Sequence, residues 1–497
     1  MFGRRSRLQA TAIGAVVLVL AAACVNGAAR TEVHDSPRPA AQAPSRAPAP
    51  PRPAPDAAPT PDIPAVSKLI DQAIAAHQLP GAVVVVGHGG KVVFHRAYGV
   101  RKLDGEQGLD GSPAPAEQMT EDTIFDVASL TKPLATATAV MQLYEQGSVD
   151  FDDPVQKYLP DFNSSNDPQR ARVTVRTLLT HTSGEPGDVD LKDAWGLDEA
   201  NKVEGVHRAL TTPLQSSPGA GFRYSDINFV VLGALVEKLT GEPEDVYVQR
   251  NIFAPLGMQD TRYLPPAKAC GPHEIRGAAI AWAPNEPAVA ACPAGTWSTD
   301  LLGRIAPTAL DEESRADPAK NPDIDHLLRG TVHDPTARRM GGVSGHAGVF
   351  STAHDVGIYA QALLDRLAGR PSEFPLSQAT VELMTTPQQP GHTAQQVPAA
   401  NAARSDRHYP AIWGQNLRGF GWDIDTGQST PRGTIFPIGS FGHTGFTGTM
   451  VWIDPGSDTY VVLFSNSIQV RGSPPMTRVF GEVNTAVAQA LGLYAGR

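Results

Sequence analysis

Strand-patterned segments at both ends of the chain, around a helix-patterned middle, predict an α/β (α+β) fold. One discontinuous α/β lobe would carry an inserted helical lobe. Near the start, residues 82–86 and 91–96 read as two strands joined by a turn at Gly87–Gly90, after a stretch with helical apolar spacing at 67–77. Near the end, 449–453 and 459–464 read as a hairpin around Pro455-Gly456-Ser457-Asp458. This places the α/β lobe at about 65–125 and 350–497 and the helical lobe at about 126–349. The cleft between two such lobes is the natural place for a site. Residues 267–340 show neither period and read as a long loop-like stretch.

The composition suits an enzyme. Of 497 residues, 41% are hydrophobic and 19% charged, enough to bury a large core. The net charge is -10, and no basic run lies beyond the first few residues, which argues against nucleic acid as a partner. Many of the 44 prolines crowd between Pro37 and Pro64. That segment, rich in Pro, Ala and Arg, cannot bury a core and reads as a stiff tether over residues 24–64, reaching on the order of 100 Å. Ahead of it, Arg4, Arg5 and Arg7 followed by an unbroken apolar run from Ala12 to Ala23 read as an export signal, residues 1–23. The run ends in Leu20-Ala21-Ala22-Ala23-Cys24, which resembles a bacterial lipobox with Cys24 as the lipidated residue. Ala21 stands where a larger aliphatic is usual, so cleavage without lipid is the alternative. The expected location is the periplasm or cell envelope, with the membrane touched only through that anchor. Cys270 and Cys292 are then either a disulfide or two buried thiols.

The chemistry centres on Ser129-Leu130-Thr131-Lys132, placed at the start of a helix running to about Glu145. Residues three apart face the same way on a helix, so the Ser129 hydroxyl and the Lys132 amine meet within one turn. A lysine buried near a helix N-terminus is pushed toward its neutral form, and a neutral amine can take the serine proton. Further on, Phe222-Arg223-Tyr224-Ser225-Asp226-Ile227-Asn228 precedes a helix with an apolar face from Phe229 to Leu239, closed by Gly241. Asp226 is placed as its N-cap, with Tyr224 on the loop before it as a proton relay. Near the end, Gly442-His443-Thr444-Gly445 precedes the last hairpin, where small residues let a substrate lie along a strand edge and backbone amides hold an oxyanion.

These elements, in this order, resemble the class C β-lactamase and penicillin-binding-protein superfamily of serine hydrolases. The resemblance runs from Val66 to the end. It includes Phe125-Asp126-Val127-Ala128 before the nucleophile and the stretches at 147–155, 174–184 and 341–352. It implies the β-lactamase/transpeptidase-like fold, an antiparallel sheet flanked by helices with an all-helical lobe. It also implies Ser129 as nucleophile, Lys132 as general base, Tyr224 as partner base or acid, and an oxyanion hole from the Ser129 and Phe446 amides. Asp226, His443, Thr444 and Gly445 fall at substrate-binding positions. No cofactor or metal is implied.

Two departures bear on the substrate. The family's Tyr-x-Asn reads Tyr224-Ser225-Asp226, which puts a carboxylate where an amide donor stands and would repel an anionic substrate. Its Lys-Thr-Gly reads His443-Thr444-Gly445, which exchanges a fixed ammonium for an imidazole mostly neutral near pH 7. Both favour neutral esters or amides over a β-lactam or peptidyl-D-alanine carboxylate. A cell-wall peptidase or β-lactamase is the second reading, and a non-catalytic tethered binder the third. The expected partner is a small-molecule or cell-wall-derived substrate.

Other candidates have plainer explanations. No Gly-x-Ser-x-Gly elbow occurs, which counts against an α/β-hydrolase. His333, Asp334 and His346 lack a His-Glu-x-x-His frame and read as structural rather than metal-binding. Trp413, Phe420 and Trp422 read as cleft lining or as packing.

Overall fold

The run Val83-Val84-Val85-Val86 has no polar face to offer, so a strand made from it must be covered on both sides. The computed structural model, which describes residues 62–283, 291–405 and 408–495, covers it in this way. The export signal, Cys24 and all but the last residues of the tether lie outside the described residues.

Strand β1 (Gly81–His88) lies within an antiparallel sheet of eight with β2 (Lys91–Lys102), β3 (Glu117–Gln118), β4 (Leu417–Arg418), β5 (Asp423–Asp425), β6 (Phe441–Gly445), β7 (Thr449–Asp454) and β8 (Thr459–Phe464). Their order is β4-β5-β6-β7-β8-β1-β2-β3. The early and late parts of the chain therefore join at the β8–β1 pair, where Val83 opposes Phe464 and Val86 opposes Val461. At Gly87 a bulge interrupts β1, and a Cβ there would sit 2.0 Å from the Tyr460 ring, so only glycine fits.

The helices that frame the sheet and the site are α1 (Pro64–Ala75), α2 (Thr138–Glu145), α3 (Asp226–Thr240), α4 (Ala353–Leu367) and α5 (Thr477–Ala490). Successive strand residues part to opposite faces. Val84, Val86, Val461 and Leu463 pack with Val66 and Ile70 of α1 and Val483 and Val487 of α5. Val83, Val85, Val462 and Phe464 share the second core with Val356 and Leu363 of α4 and with α2 and α3. Helix α3 has no polar stripe: Ile227, Phe229, Val231, Leu232 and Val236 are all buried, and Gly241 ends it in the left-handed region at φ 71°.

Phe420 and Trp422 belong to this core and not to a cleft. Phe420 stacks on Phe151 at 4.4 Å, and Trp422 lies 6.4 Å from Tyr359 and 5.4 Å from Phe441. Trp413 is 93% exposed. The stretch at 267–340 is built from strand pairs two or three residues long around a small core of Ile280, Trp297, Leu302, Ile305 and Val332. Cys270 and Cys292 are bonded, with Cα atoms 5.7 Å apart. Buried ion pairs hold the rest, Arg338 reaching Asp311 and Glu313, and Arg339 reaching Glu313. Elements that short have no room to show a period, which is why the sequence pattern is blank there. Among the described residues, no helix is long and apolar enough to cross a membrane.

Candidate active site

Ser129, the expected nucleophile, follows a strained, tightly pinned turn. Ala128, without the freedom of glycine, holds φ at 47°, a conformation that persists only where its surroundings enforce it. Asp126 does so: one carboxylate oxygen accepts the Ala128 N–H at 2.9 Å and the other accepts the His333 N–H at 2.7 Å. The expected single helix from Ser129 to Glu145 is three pieces, a short 3₁₀ turn at Ala128–Leu130, a wide π turn at Lys132–Ala137 and then α2. Pro133 has no N–H to give the ladder, and its carbonyl is taken by the hydroxyls of Thr138 and Tyr359 at 2.9 and 3.3 Å.

Lys132 is fully buried and its ammonium has three partners: Ser129 Oγ at 2.9 Å, the His346 carbonyl at 3.0 Å and Asp226 Oδ1 at 2.6 Å. The first two contacts are hydrogen bonds and the third is an ion pair. Burial would lower this pKa, but the Asp226 carboxylate and the neighbouring Tyr224 hydroxyl outweigh it and hold Lys132 above the ordinary lysine range. The expectation of a neutral lysine therefore fails, because its partner is a carboxylate instead of an amide. The expectation for Asp226 changes too. Ser225, not Asp226, is the N-cap of α3, accepting the Asn228 N–H. Asp226 stands one residue inside the helix and is turned onto Lys132, where it neutralises a cation.

Behind this pair lies a second one. His346 donates to Asp334 at 2.8 Å and is hydrogen-bonded to the Ser344 hydroxyl at 2.9 Å. Burial opposes the charge on both, yet each outweighs it for the other: His346 is held above and Asp334 well below its usual range. Asp188, Asp226 and Asp334 bring one oxygen each within 4.8 Å. Two of these carboxylates face their own cations, and burial together with Asp334 pushes Asp188 up to about 6. Asp226 and Asp334 are thus each set against a cation, and His346 has Asp334 and Ser344 as its partners.

The opposite wall is aromatic. Tyr224 stacks on His181 at 4.4 Å, faces His443 at 6.0 Å, and has Lys132 Nζ 5.1 Å from its ring centre. Burial, then the charge on Arg418, then that on Lys132 hold His181 and His443 well below the usual histidine range. His443 is therefore a neutral imidazole, with Nδ1–H donating to the Thr444 carbonyl at 2.8 Å.

A cleft of about 540 Å³ collects Ser129, Tyr224, Asp226, His443, Thr444 and Phe446 on its walls. Phe446, at the β6–β7 turn, is 74% exposed, and its ring stacks against His333 at 5.8 Å. Two hydroxyls fasten this turn to the nucleophile loop, Thr447 to the Asp126 carbonyl at 2.7 Å and Thr449 to the Val127 carbonyl at 3.1 Å. The approach is so close that a Cβ on Gly445 would lie 2.4 Å from the Val127 oxygen. Ser129 and Phe446 consequently line one cleft. Sequence reasoning had no signal for Arg418 or for the Asp334–His346 pair, which depend on strands and loops far apart in the chain. Asp126 and His181 lay inside quoted family stretches without an assigned role.

A family model described as Beta-lactamase matches residues 66–475. A protein of Escherichia coli K12 named "Putative D-alanyl-D-alanine carboxypeptidase" is 31% identical over 399 residues, 78% of each chain. One of Bacillus subtilis 168 named "N-acetylmuramyl-L-alanine amidase" is 30% identical over 453 residues, 86% of this chain and 88% of that protein. Among solved structures, the penicillin-binding protein homologue of Pyrococcus abyssi has a TM-score of 0.56 at 20% identity, covering 87% of this chain and 78% of that one. The simvastatin synthase LovD of Aspergillus terreus has the same TM-score at 23% identity, covering 86% and 99%. The chain belongs to the Beta-lactamase family and has the β-lactamase/transpeptidase fold of its serine hydrolases.

Proposed function

We propose that the protein is an exported serine hydrolase of the cell envelope that cleaves an ester or amide bond through an acyl-enzyme on Ser129. The proton route follows from the ion pair. Lys132 passes one proton to Asp226 as it takes the proton of Ser129, and the freed oxygen attacks the carbonyl carbon. The backbone amides of Ser129 and Phe446 hold the resulting oxyanion. Tyr224 then protonates the leaving group and recovers its proton from Lys132, which Asp226 refills. Water repeats the sequence to release the acid.

One observation carries the choice of bond. The cleft wall presents two carboxylates, Asp226 and Asp334, and a neutral His443, and no lysine or arginine lines it among the described residues. A substrate carboxylate beside the scissile bond would meet the Lys132 ammonium with its charge already offset by Asp226, whereas an internal amide or an ester is not penalised. The similarity to the B. subtilis amidase supports an amide in a cell-wall fragment. The similarity to the E. coli protein supports the second reading, a D-alanyl-D-alanine carboxypeptidase or β-lactamase.

Labelling with a fluorophosphonate and, separately, with a fluorescent penicillin separates these readings. Fluorophosphonate labelling that is lost in Ser129→Ala, without penicillin labelling, is the expected result. Penicillin labelling would promote the peptidase reading. Absence of both in folded protein would leave a non-catalytic binder.

A further inference from the structure

Lys132 donates to one backbone group, the His346 carbonyl at 3.0 Å. Residues 344–346 thread behind the nucleophile turn with three successive carbonyls taken by side chains: Ser344 by the Tyr263 hydroxyl at 3.2 Å, Gly345 by the Thr136 hydroxyl at 2.7 Å, and His346 by Lys132. At Gly345 there is no slack, since a Cβ would lie 2.2 Å from the Phe229 carbonyl oxygen. One residue further on the backbone is held less well. The Ala347 N–H reaches the Ser344 carbonyl only at 3.3 Å, and Gly348 turns the chain through a left-handed conformation at φ 124°. The peptide that carries the His346 carbonyl therefore depends on the His346 side chain for its direction.

That side chain is pinned at both ring nitrogens. Nδ1 is hydrogen-bonded to the Ser344 hydroxyl at 2.9 Å, and Nε2 to Asp334 at 2.8 Å. Asp334 is fixed in turn, because the same carboxylate oxygen accepts the Ala337 N–H at 2.8 Å and caps the short helix Pro335–Arg339. The residue before it, His333, gives its N–H to Asp126, whose other oxygen holds Ala128. Residues 333 and 334 thus tie the turn before Ser129 and the acceptor of Lys132 to one point of the chain. His346 is fully buried, so its side chain cannot meet a substrate, and the proposed proton route from Lys132 to Asp226 does not use it. Burying an imidazole–carboxylate pair costs desolvation that an apolar pair of equal volume would avoid. What the pair supplies instead is a fixed direction.

We infer that His346, anchored by Asp334, is a positioning residue of the acylation step: the bond between their side chains aims the His346 carbonyl at Lys132 and so keeps Nζ against Ser129 Oγ. The inference rests on the hydrolase reading and adds to it two residues that the proton route leaves idle. A shift of Nζ by about 1 Å is enough to slow such a step by on the order of 10²-fold.

The test compares two polar replacements of the imidazole. Glutamine places its amide nitrogen where the ring has Nε2 and can still reach Asp334, whereas asparagine ends near Nδ1 and cannot. His346→Asn should lower kcat on a small ester by about 10²-fold with KM unchanged, and should slow fluorophosphonate labelling of Ser129 by a similar factor per folded molecule. His346→Gln should stay within about threefold of the parent on both counts. Equal losses in the two variants would overturn the inference, as would a change confined to KM, or a fall in Tm with the labelling rate per folded molecule unchanged. Should His346→Asn not fold, Ser344→Ala removes only one of the two bonds to the ring: labelling slowed about fivefold supports the inference, and a parental rate overturns it. If the parent neither labels nor hydrolyses, the hydrolase reading alone fails. Nitrogen NMR of Ser129→Ala then still decides the geometry, with the Lys132 ammonium protected from solvent exchange in the parent and in His346→Gln, and exchanging at least about tenfold faster in His346→Asn; equal protection in all three would overturn it.

Discussion

Two fully buried cations, Lys132 and Arg418, are treated in different ways. Lys132 has two hydrogen-bond acceptors at 2.9 and 3.0 Å and a carboxylate at 2.6 Å. Arg418 has none within hydrogen-bond reach and one carboxylate at 3.5 Å. A saturated charge is held in place and can hand protons along its partners. Arg418 has only the Asp423 carboxylate at 3.5 Å to offset it, and its charge adds to the burial that lowers His181 and His443. The arrangement at Lys132 suits a group that must exchange protons. In the proposed reaction the wall near Asp226 would carry the proton traffic, and the buried, neutral His443 would take no part in it.

Removing the saturated cation should have the largest effect. Lys132→Met should lower kcat by about 10³-fold or more on a small ester, measured at saturating substrate. It should also cost about 1–3 kcal/mol of stability by denaturant unfolding, since Asp226 loses its cation but is open enough to rehydrate. That cost, set beside an unharmed Arg418→Met, is the sharpest form of the contrast. Equal destabilisation by the two would break it.

A smaller effect is expected where the two walls are pinned together. Gly445→Ala must move β6 off the Val127 oxygen and so part the Phe446 amide from that of Ser129. A loss of about 10²-fold in kcat, with the titration of His443 unchanged, is the expected result of steady-state kinetics and NMR. Parental kcat would mean that the two amides do not act together.

Glu244 offers a third kind of buried charge, one kept neutral. It lies behind the Lys132 turn, accepting the Thr136 hydroxyl at 2.6 Å, and burial pushes it up to about 7. Its folded pKa exceeds its unfolded one, so the stability it contributes is complete below about pH 4.5 and fades as pH rises toward 7. Glu244→Gln should flatten the fall in Tm between pH 5 and 8 and stabilise the protein at pH 8 by on the order of 3 kcal/mol. A slope left unchanged would place that pH dependence elsewhere, with Glu185 and Asp323, each also raised to about 7 by burial, the next groups to replace.

The same contrast explains what could be read from the sequence. The Ser129–Lys132 contact depends on residues three apart, and the hairpin at Thr449–Phe464 on strict local pattern, so both show in the sequence. The four consecutive valines mark β1 as a strand but not which strand it joins, because pairing with β8 spans most of the chain. Asp226 was visible as a residue and invisible as a partner: only the fold brings α3 against the Lys132 turn. Arg418 gives no local signal. Phe420 and Trp422 are as apolar in a core as in a cleft, and sequence offers no way to separate those settings.

The protonation state of Lys132 tests the account most directly. Nitrogen NMR of its Nζ in Ser129→Ala should show an ammonium through pH 10 while Asp226 is present, and a clear fall in its pKa in Asp226→Asn. A lysine that titrates near pH 7 with Asp226 intact would contradict the proton route, and would restore Lys132 as a base acting without a carboxylate behind it.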